Sequence, residues 1–552
     1  MTRRVLTGAA CALALFSLGI WNVSAQEARS TVNGTITDQS GAAVVGAQIR
    51  MVNNETGVSL STVTNEVGQY HLLFVNPGTY RVTAEMPGFR TFARENVVVT
   101  LGEAATLDIR MEVGAQSDTV TVAAEAPLLD AEKADRGLSI DTKSLSSLPL
   151  IARVPNLIAT LAPGVIWTAP NYNSLAPFSN GAFSSFSING SISPSAEFLL
   201  DGAPNDMIYQ AAHSVAYVPP VDAVAEFKVV TGAYDAQYGR NGGGVITVAL
   251  KSGTNAFHGT AYEFMKRSFL DANTFANNAV GGARNYDKLD EWGGTLGGPV
   301  WIPKIYRGKD KTFFFVAYEK YHWQTLARNQ ISSVPTAAQR SGDFSRTLNN
   351  AGQLNTIYDP STGRSVNGTW VRDPFPGNMI PANRFDPVGA KIASIYPLPN
   401  LTPAGFVNWQ NNYFSPLNTQ YYFPNIVARV DHNFSEKERI YGRYVYNNQL
   451  LHDISNAYLT GLGADNRYGN KVNNAAVFDS VTVFSAATTL DVRVSLNRWT
   501  QNYAPKDYNA QTGAQAIGLP ASLVNQFEEP FRFPYITASN YQYLGESSSN
   551  IW

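Results

Sequence analysis

The sequence predicts a mainly β protein, and three observations carry that prediction. Only 15% of the 552 residues are charged, against about 25% in ordinary soluble domains. Aromatic residues make up 12% and glycines number 44, a composition suited to strands and tight turns. Apolar residues recur with period two in many short runs broken by Gly, Asn or Pro. Beyond the N-terminus no run of 18 apolar residues occurs, so any passage through a membrane must be made by a closed barrel. A net charge of −2 removes the bulk attraction that nucleic acid requires, and no nucleic-acid partner is expected.

The chain starts with a positive pair, Arg3 and Arg4, then an apolar stretch from Val5 to Ile20, then Val23-Ser24-Ala25. That order predicts a secretory signal peptide, residues 1–25, cleaved after Ala25. The one cysteine, Cys11, falls inside it, so disulfide and thiolate chemistry are not expected in the mature chain.

Residues 26–113 predict a small β-sandwich. Thr31-Val32-Asn33-Gly34-Thr35-Ile36-Thr37-Asp38, Ala47-Gln48-Ile49-Arg50-Met51-Val52, residues 70–75 and residues 79–84 read as strands, with a turn at Asn76-Pro77-Gly78. The ordered set Gly34-x-Ile36-x-Asp38-x-x-Gly41, Gly46-Ala47-x-Ile49, Gly68-x-Tyr70, Pro77-Gly78-x-Tyr80 and Pro87-Gly88-Phe89 resembles the carboxypeptidase regulatory-like domain. The resemblance implies a spacer or a carbohydrate-binding sandwich and no peptidase activity.

Residues 114–135 form a linker holding one short β-prone run, Asp118-Thr119-Val120-Thr121-Val122. Such a segment can add itself to a partner's sheet edge, or serve as a last sandwich strand. Residues 136–253 contain Phe198-Leu199-Leu200-Asp201-Gly202-Ala203-Pro204, then Val224-Ala225-Glu226-Phe227-Lys228-Val229-Val230-Thr231-Gly232. They end with Tyr238-Gly239-Arg240-Asn241-Gly242-Gly243-Gly244-Val245-Ile246-Thr247-Val248. The glycines at 242–244 allow positive φ and close backbone approach. They fit no phosphate-binding spacing. This ordered set resembles the α+β plug domain of TonB-dependent outer-membrane receptors. The resemblance implies that Asp118 to Val122 is the TonB box, and that Asp201, Gly202, Tyr238, Gly239, Gly242, Gly243 and Gly244 belong to the plug's characteristic turns.

Residues 254–552 predict the first part of a transmembrane antiparallel β-barrel. Leu490, Val492, Val494 and Leu496 alternate with Asp491, Arg493, Ser495 and Asn497, an apolar lipid face against a wet lumen face, with Trp499 assigned to an interfacial girdle. Residues 311–321, 425–431 and 439–446 repeat the pattern. Residues 332–419 and 461–473, rich in Asn, Pro, Gly and Ser, are expected to be extracellular loops. Trp292-Gly293-Gly294-Thr295-Leu296-Gly297-Gly298-Pro299, with Val334-Pro335-Thr336 and Ser341-Gly342-Asp343-Phe344-Ser345, resembles the Oar-like branch of these receptors. Plugged transporters of this kind close 22 strands, and only six to ten are legible here. The expectation is therefore a C-terminally truncated chain with an incomplete barrel.

The six histidines are scattered, H-E-x-x-H and G-x-S-x-G are absent, and neither catalytic residue, metal nor cofactor is expected. The resemblance implies a protein of the cell outer membrane, embedded in its lipid. It would import a siderophore, oligosaccharide or peptide with TonB as energy-transducing partner. The alternative is an anchored surface or adhesion protein whose sandwich binds carbohydrate.

Overall fold

A computed structural model describes residues 29–116, 119–122, 129–130, 135–148, 153–169, 184–209, 212–239, 242–279, 281–284, 286–327, 331–402, 407, 409–414, 417–454, 466–486, 488–505, 513–528 and 533–545. The expected leader with Ala25, and Asp118, lie outside them.

Two sheets make the sandwich. One orders Leu129–Asp130 (β10), Ala104–Thr106 (β7), Ser30–Thr37 (β1) and Gln69–Val75 (β4), with Ile109–Arg110 (β8) also on β1. The other orders Ser59–Val63 (β3), Gln48–Asn53 (β2), Gly78–Glu85 (β5), Thr91–Val99 (β6) and Thr119–Val122 (β9). Period two decides which side chains go inside: Ile49 and Met51 are buried while Gln48 and Arg50 are exposed. Tyr80, Val82 and Ala84 close the core from the next strand.

The middle unit is built on Arg136–Asp141 (β11), Val224–Gly232 (β18), Val245–Leu250 (β19), Glu197–Leu200 (β14) and Ala203–Pro204 (β15), hydrogen-bonded in that order. Smaller pairs, Val165–Trp167 (β12) with Phe186–Ile188 (β13) and Asp206–Tyr209 (β16) with Ala212–Val215 (β17), lie beside it. All six residues of β19 are buried, the signature of a central strand covered on both faces.

Seven long antiparallel strands follow: His258–Arg267 (β20), Tyr286–Pro299 (β21), Thr312–Ala327 (β24), Leu417–Asn433 (β29), Glu438–Ile454 (β30), Asn466–Ser485 (β31) and Thr488–Pro505 (β32). Between β21 and β24 sits a hairpin, Trp301–Ile302 (β22) with Tyr306–Arg307 (β23). Connections at one end are short, residues 300–311, 434–437 and 486–487. At the other end they run through 268–285, 328–416 and 455–465, the asymmetry of periplasmic turns and extracellular loops. The long loop carries Ile331–Ser332 (β25) paired with Tyr413–Phe414 (β28), the hairpin Arg364–Val366 (β26) with Thr369–Val371 (β27), and a helix at Pro387–Ile395. Val334 and Tyr396 from this loop share one core with Ile517, Phe533 and Leu544 from residues beyond β32.

The expected alternation holds in β32. Val494 is 55% and Leu496 67% exposed on the outer face, while Arg493 turns in. Three expectations need correction. Trp499 pairs with the fully buried Asn473, so it shares the inner face with Arg493 and is no outer girdle residue. Period two requires this, because 499 has the parity of 493. Residues 466–473, expected as loop, form the first part of the 20-residue β31. Strands here outrun the hydrocarbon layer, so the sequence of their outer ends shows no apolar alternation. For the same reason β29 begins at Leu417, inside the stretch expected as loop.

Val494 lies midway along the lipid-facing row of β32. Val494→Arg should cost about 2–4 kcal/mol, read as a lowered urea midpoint of the lipid-reconstituted barrel, with Ser495→Arg on the inner face as the milder control.

Candidate functional site

The main core of the middle unit is continuous with the wall. Phe198, Tyr217, Phe227 and Ile246 form one buried cluster with Phe315, Ala317, Val427 and Val445 from the inner faces of β24, β29 and β30. The seven-stranded sheet therefore holds it as one side of a packed lumen.

At the centre of this contact stands the turn after β14. Asp201 has φ of 50° and Gly202 φ of 75°, left-handed geometry that aims three successive carbonyls and a carboxylate at the wall. The Arg443 guanidinium donates to the Leu200 carbonyl and to Asp201 Oδ2, both at 2.9 Å. Tyr441 donates its hydroxyl to the Asp201 carbonyl at 3.2 Å, and Arg493 donates to the Gly202 carbonyl at 3.1 Å. Arg429 reaches Asp201 Oδ1 at 3.4 Å, is fixed by Asp431 at 2.8 Å, and lies 4.5 Å over the Tyr441 ring. The Leu250 amide donates to Asp201 Oδ1 at 2.8 Å, tying the turn to β19. Asp201 and Arg443 side chains are only 6% and 3% exposed. A buried carboxylate thus meets buried guanidiniums across a domain boundary, where each charge needs the other.

A second latch uses Arg153, which pairs with Asp222 of its own unit and with Glu291 of β21 at 2.8 Å. Its guanidinium lies 3.9 Å over Phe264 and 5.1 Å over Tyr262, and Tyr262 donates to Glu319 at 2.9 Å. Asn425 of the wall adds a third, taking the Tyr217 hydroxyl and donating to the Val218 carbonyl at 3.1 Å.

Of the residues singled out from sequence, Asp201 and Gly202 lie in the first latch. Gly244 has φ of 98°, and a Cβ there would sit 2.6 Å from the Val230 carbonyl; a Cβ at Gly243 would sit 2.0 Å from Ser195 Oγ. Gly242 and Gly239 meet neither demand. Tyr238 packs with Tyr234 on a small cluster of Leu199, Val230 and Val245, away from the latch. Thr119–Val122 pairs in parallel with Thr91 to Arg94 at the edge of the second sandwich sheet. Sequence reasoning missed Arg153, Glu291 and Glu319, whose isolated charges in β-prone runs give no local signal.

The sandwich docks at the short-turn end. The Leu101 amide donates to Glu226 at 2.8 Å, Lys228 to the Gly102 carbonyl at 3.1 Å, and Asn255 to the Thr56 carbonyl at 2.7 Å. Glu436, in the turn between β29 and β30, takes Ser61 at 2.9 Å and Arg50 at 3.1 Å. Arg29 pairs with Asp479 at 3.0 Å and Asp491 at 2.9 Å on the inner wall. Burial pushes the Glu226 carboxyl above its ordinary 4.5, against the hydrogen bonds from Ser139 and Leu101 that favour its ionised form. Among the described residues no group of three or more His, Cys, Asp or Glu is placed to hold a metal ion.

Two outcomes follow. Asp201→Ala leaves Arg443 buried without its carboxylate and should loosen the middle unit by about 3–5 kcal/mol. The readout is faster hydrogen exchange at the amides of β19, largely restored in Asp201→Ala/Arg443→Leu. Because the docked state binds the Glu226 proton more tightly, its contribution to docking is complete at pH below 4.5. That contribution is lost as pH rises through the elevated value. Exchange at the Leu101 amide should therefore speed up over that rise beyond the intrinsic pH dependence, and Glu226→Gln should remove the excess.

Comparison with known proteins adds three family matches. Residues 31–112 match the carboxypeptidase regulatory-like domain, residues 139–246 the TonB-dependent receptor plug domain, and residues 249–552 the outer membrane beta barrel domain. The TonB-dependent transporter Oar of Myxococcus xanthus is 25% identical over 373 residues, which cover 62% of this chain and 33% of that protein. The chain thus spans about a third of the length of this curated relative. Among solved structures, the outer membrane transporter YddB of Escherichia coli aligns over 67% of this chain and 40% of its own, with TM-score 0.41 and 11% identity. The ferric enterobactin receptor of Pseudomonas aeruginosa aligns over 68% and 43%, with TM-score 0.36 and 12% identity. With the outer membrane beta barrel domain matched over more than half of this chain and the plug domain directly before it, this chain belongs to the TonB-dependent receptors of the outer membrane.

Proposed function

We propose that the protein imports a ligand across the outer membrane with energy delivered by TonB. The observation that carries the reading is the gripped turn Leu200 to Gly202: a plug seated on the wall by a few buried, directional bonds is firm at rest yet displaceable as a unit. Ligand binds on the outer side, to the long loops and the plug. TonB then takes Thr119–Val122 by strand addition. Four residues in parallel register on an edge make a short, weak pairing, so this segment can leave β6 for a partner.

Force then reaches the plug through residues 123–135. It arrives at β11, the outermost strand of the plug sheet, paired on one side alone with β18. Peeling an edge strand breaks its ladder bonds in sequence and leaves β18, β19 and β14 paired. A lumen path opens beside the latch without unfolding the whole plug. The work comes from outside the protein, so the chain's own chemistry is limited to binding and release.

The test is a double replacement, Val120→Pro and Val122→Pro, which removes two backbone donors from the segment. Binding to the isolated TonB C-terminal domain in a pull-down should fall at least tenfold, and uptake should stop while the barrel still assembles. An intact protein that never binds TonB would sink the reading.

A further inference from the structure

We propose that the hairpin at residues 300–311 is a lipid anchor that binds anionic phospholipid headgroups of the periplasmic leaflet. It is the longest of the three short connections, and it is built rather than slack. β22 and β23 pair Trp301 with Arg307 and Ile302 with Tyr306. The Gly308 amide donates to the Val300 carbonyl at 2.8 Å and the Thr312 amide to the Gly308 carbonyl at 2.7 Å. A Cβ at Gly308 would stand 2.7 Å from the Val300 carbonyl oxygen, so the base closes only on glycine.

Its direction is fixed by Tyr306. On β24 the buried Phe313, Phe315 and Glu319 face the plug, so Thr312, Phe314 and the exposed Val316 face lipid. Tyr306 shares a hydrogen bond with the Thr312 hydroxyl, which in turn bonds His432 at 2.6 Å. The hairpin therefore folds over the outer side of the rim, not under the lumen. Exposed rings mark the same level: Phe257 against Phe314, Phe434 against His432, and Phe484. A ring of aromatics at one end of an apolar band is where acyl chains give way to headgroups.

At that level the hairpin offers two complementary surfaces. Trp301 is 61%, Ile302 45% and Ile305 81% exposed, an apolar tip that water would leave unsatisfied. Lys304, Arg307, Lys309 and Lys311 surround it, all exposed, and none makes an ion pair among the described residues. The one acid, Asp310, is turned away and held by Asn255 at 2.6 Å, next to the docked sandwich. Apolar side chains among unpaired cations match a bilayer surface carrying negative headgroups.

The experiment uses the intact protein reconstituted in phosphatidylcholine vesicles with and without phosphatidylglycerol. Ile305→Cys carries an environment-sensitive dye, and Ser365→Cys in the outer hairpin carries the same dye as control. The dye at 305 should shift to the blue and be quenched by nitroxide-bearing acyl chains, while the dye at 365 stays aqueous. Phosphatidylglycerol retained per protein after delipidation should fall about five-fold for each of Lys304→Gln and Arg307→Gln. A dye at 305 as aqueous as that at 365 overturns the proposal. So does a dye buried only when a periplasmic protein is added, which would assign the tip to a protein partner. Retention unchanged in both glutamine variants overturns the headgroup assignment.

Discussion

Period-two alternation in a wall with lipid on one side and protein on the other is the constraint on which the rest depends. Lipid takes the outer row, and Arg429, Arg443, Asn425, Glu291 and Asp479 sit on the inner one. Once the plug fills the lumen, water is excluded from much of that inner row. These side chains are then buried polar groups needing partners. The plug and the N-terminal segment answer several of them: Asp201 and the carbonyls from 200 to 202, Arg153, the Val218 carbonyl, and Arg29. Plug position is thus set by polar satisfaction, and plug adhesion by the apolar cluster around Phe315, Val427 and Val445.

The two kinds of contact resist displacement differently. Apolar burial is non-directional and tolerates sliding, whereas a buried ion pair is costly to separate and contributes registry more than net stability. The Asp201 turn concentrates registry in three residues. Among the described residues Arg443 bonds only Leu200 and Asp201, both of the plug, whereas Arg429 also pairs with Asp431 and Arg493 with Asp479, both of the wall. Two of the three cations therefore have a resting partner in the wall, which lowers the cost of release without loosening the seated state.

Sequence made the wall and the sandwich legible because both obey a local rule. Alternation at residues 490–497 and 48–52 states which face is buried without knowledge of any neighbour. The same rule, applied strictly, would have turned Trp499 inward. The outer half of β31 was not legible, since residues 466–473 stand clear of lipid and need no apolar face. At the latch, Asp201-Gly202 announced a turn, and nothing more. Its partners lie 228 and 242 residues away, and the arginines alone could not be told from ordinary lumen residues. Glycines at 243 and 244 were legible as a tight approach, but the identity of what approaches, Ser195 and Val230, comes only from the fold.

The sandwich adds a further layer to the same logic. Glu226 takes the Leu101 amide from the sandwich and the Ser139 hydroxyl from β11, while sitting on β18. One carboxylate therefore links the docked sandwich to both strands at the plug's peeling edge. Chain connectivity places β9 on one sandwich sheet and β10 on the other, so a pull on Thr119–Val122 loads β6 and β7 before it loads β11. The shortest ladders, four and two residues long, come first in line and the six-residue ladder of β11 last. Under the proposed pull, rupture in that order would free the tether while the plug is still seated. The Asp201 latch, in the turn joining β14 and β15 at the opposite edge of the same sheet, would be the last element that force reaches.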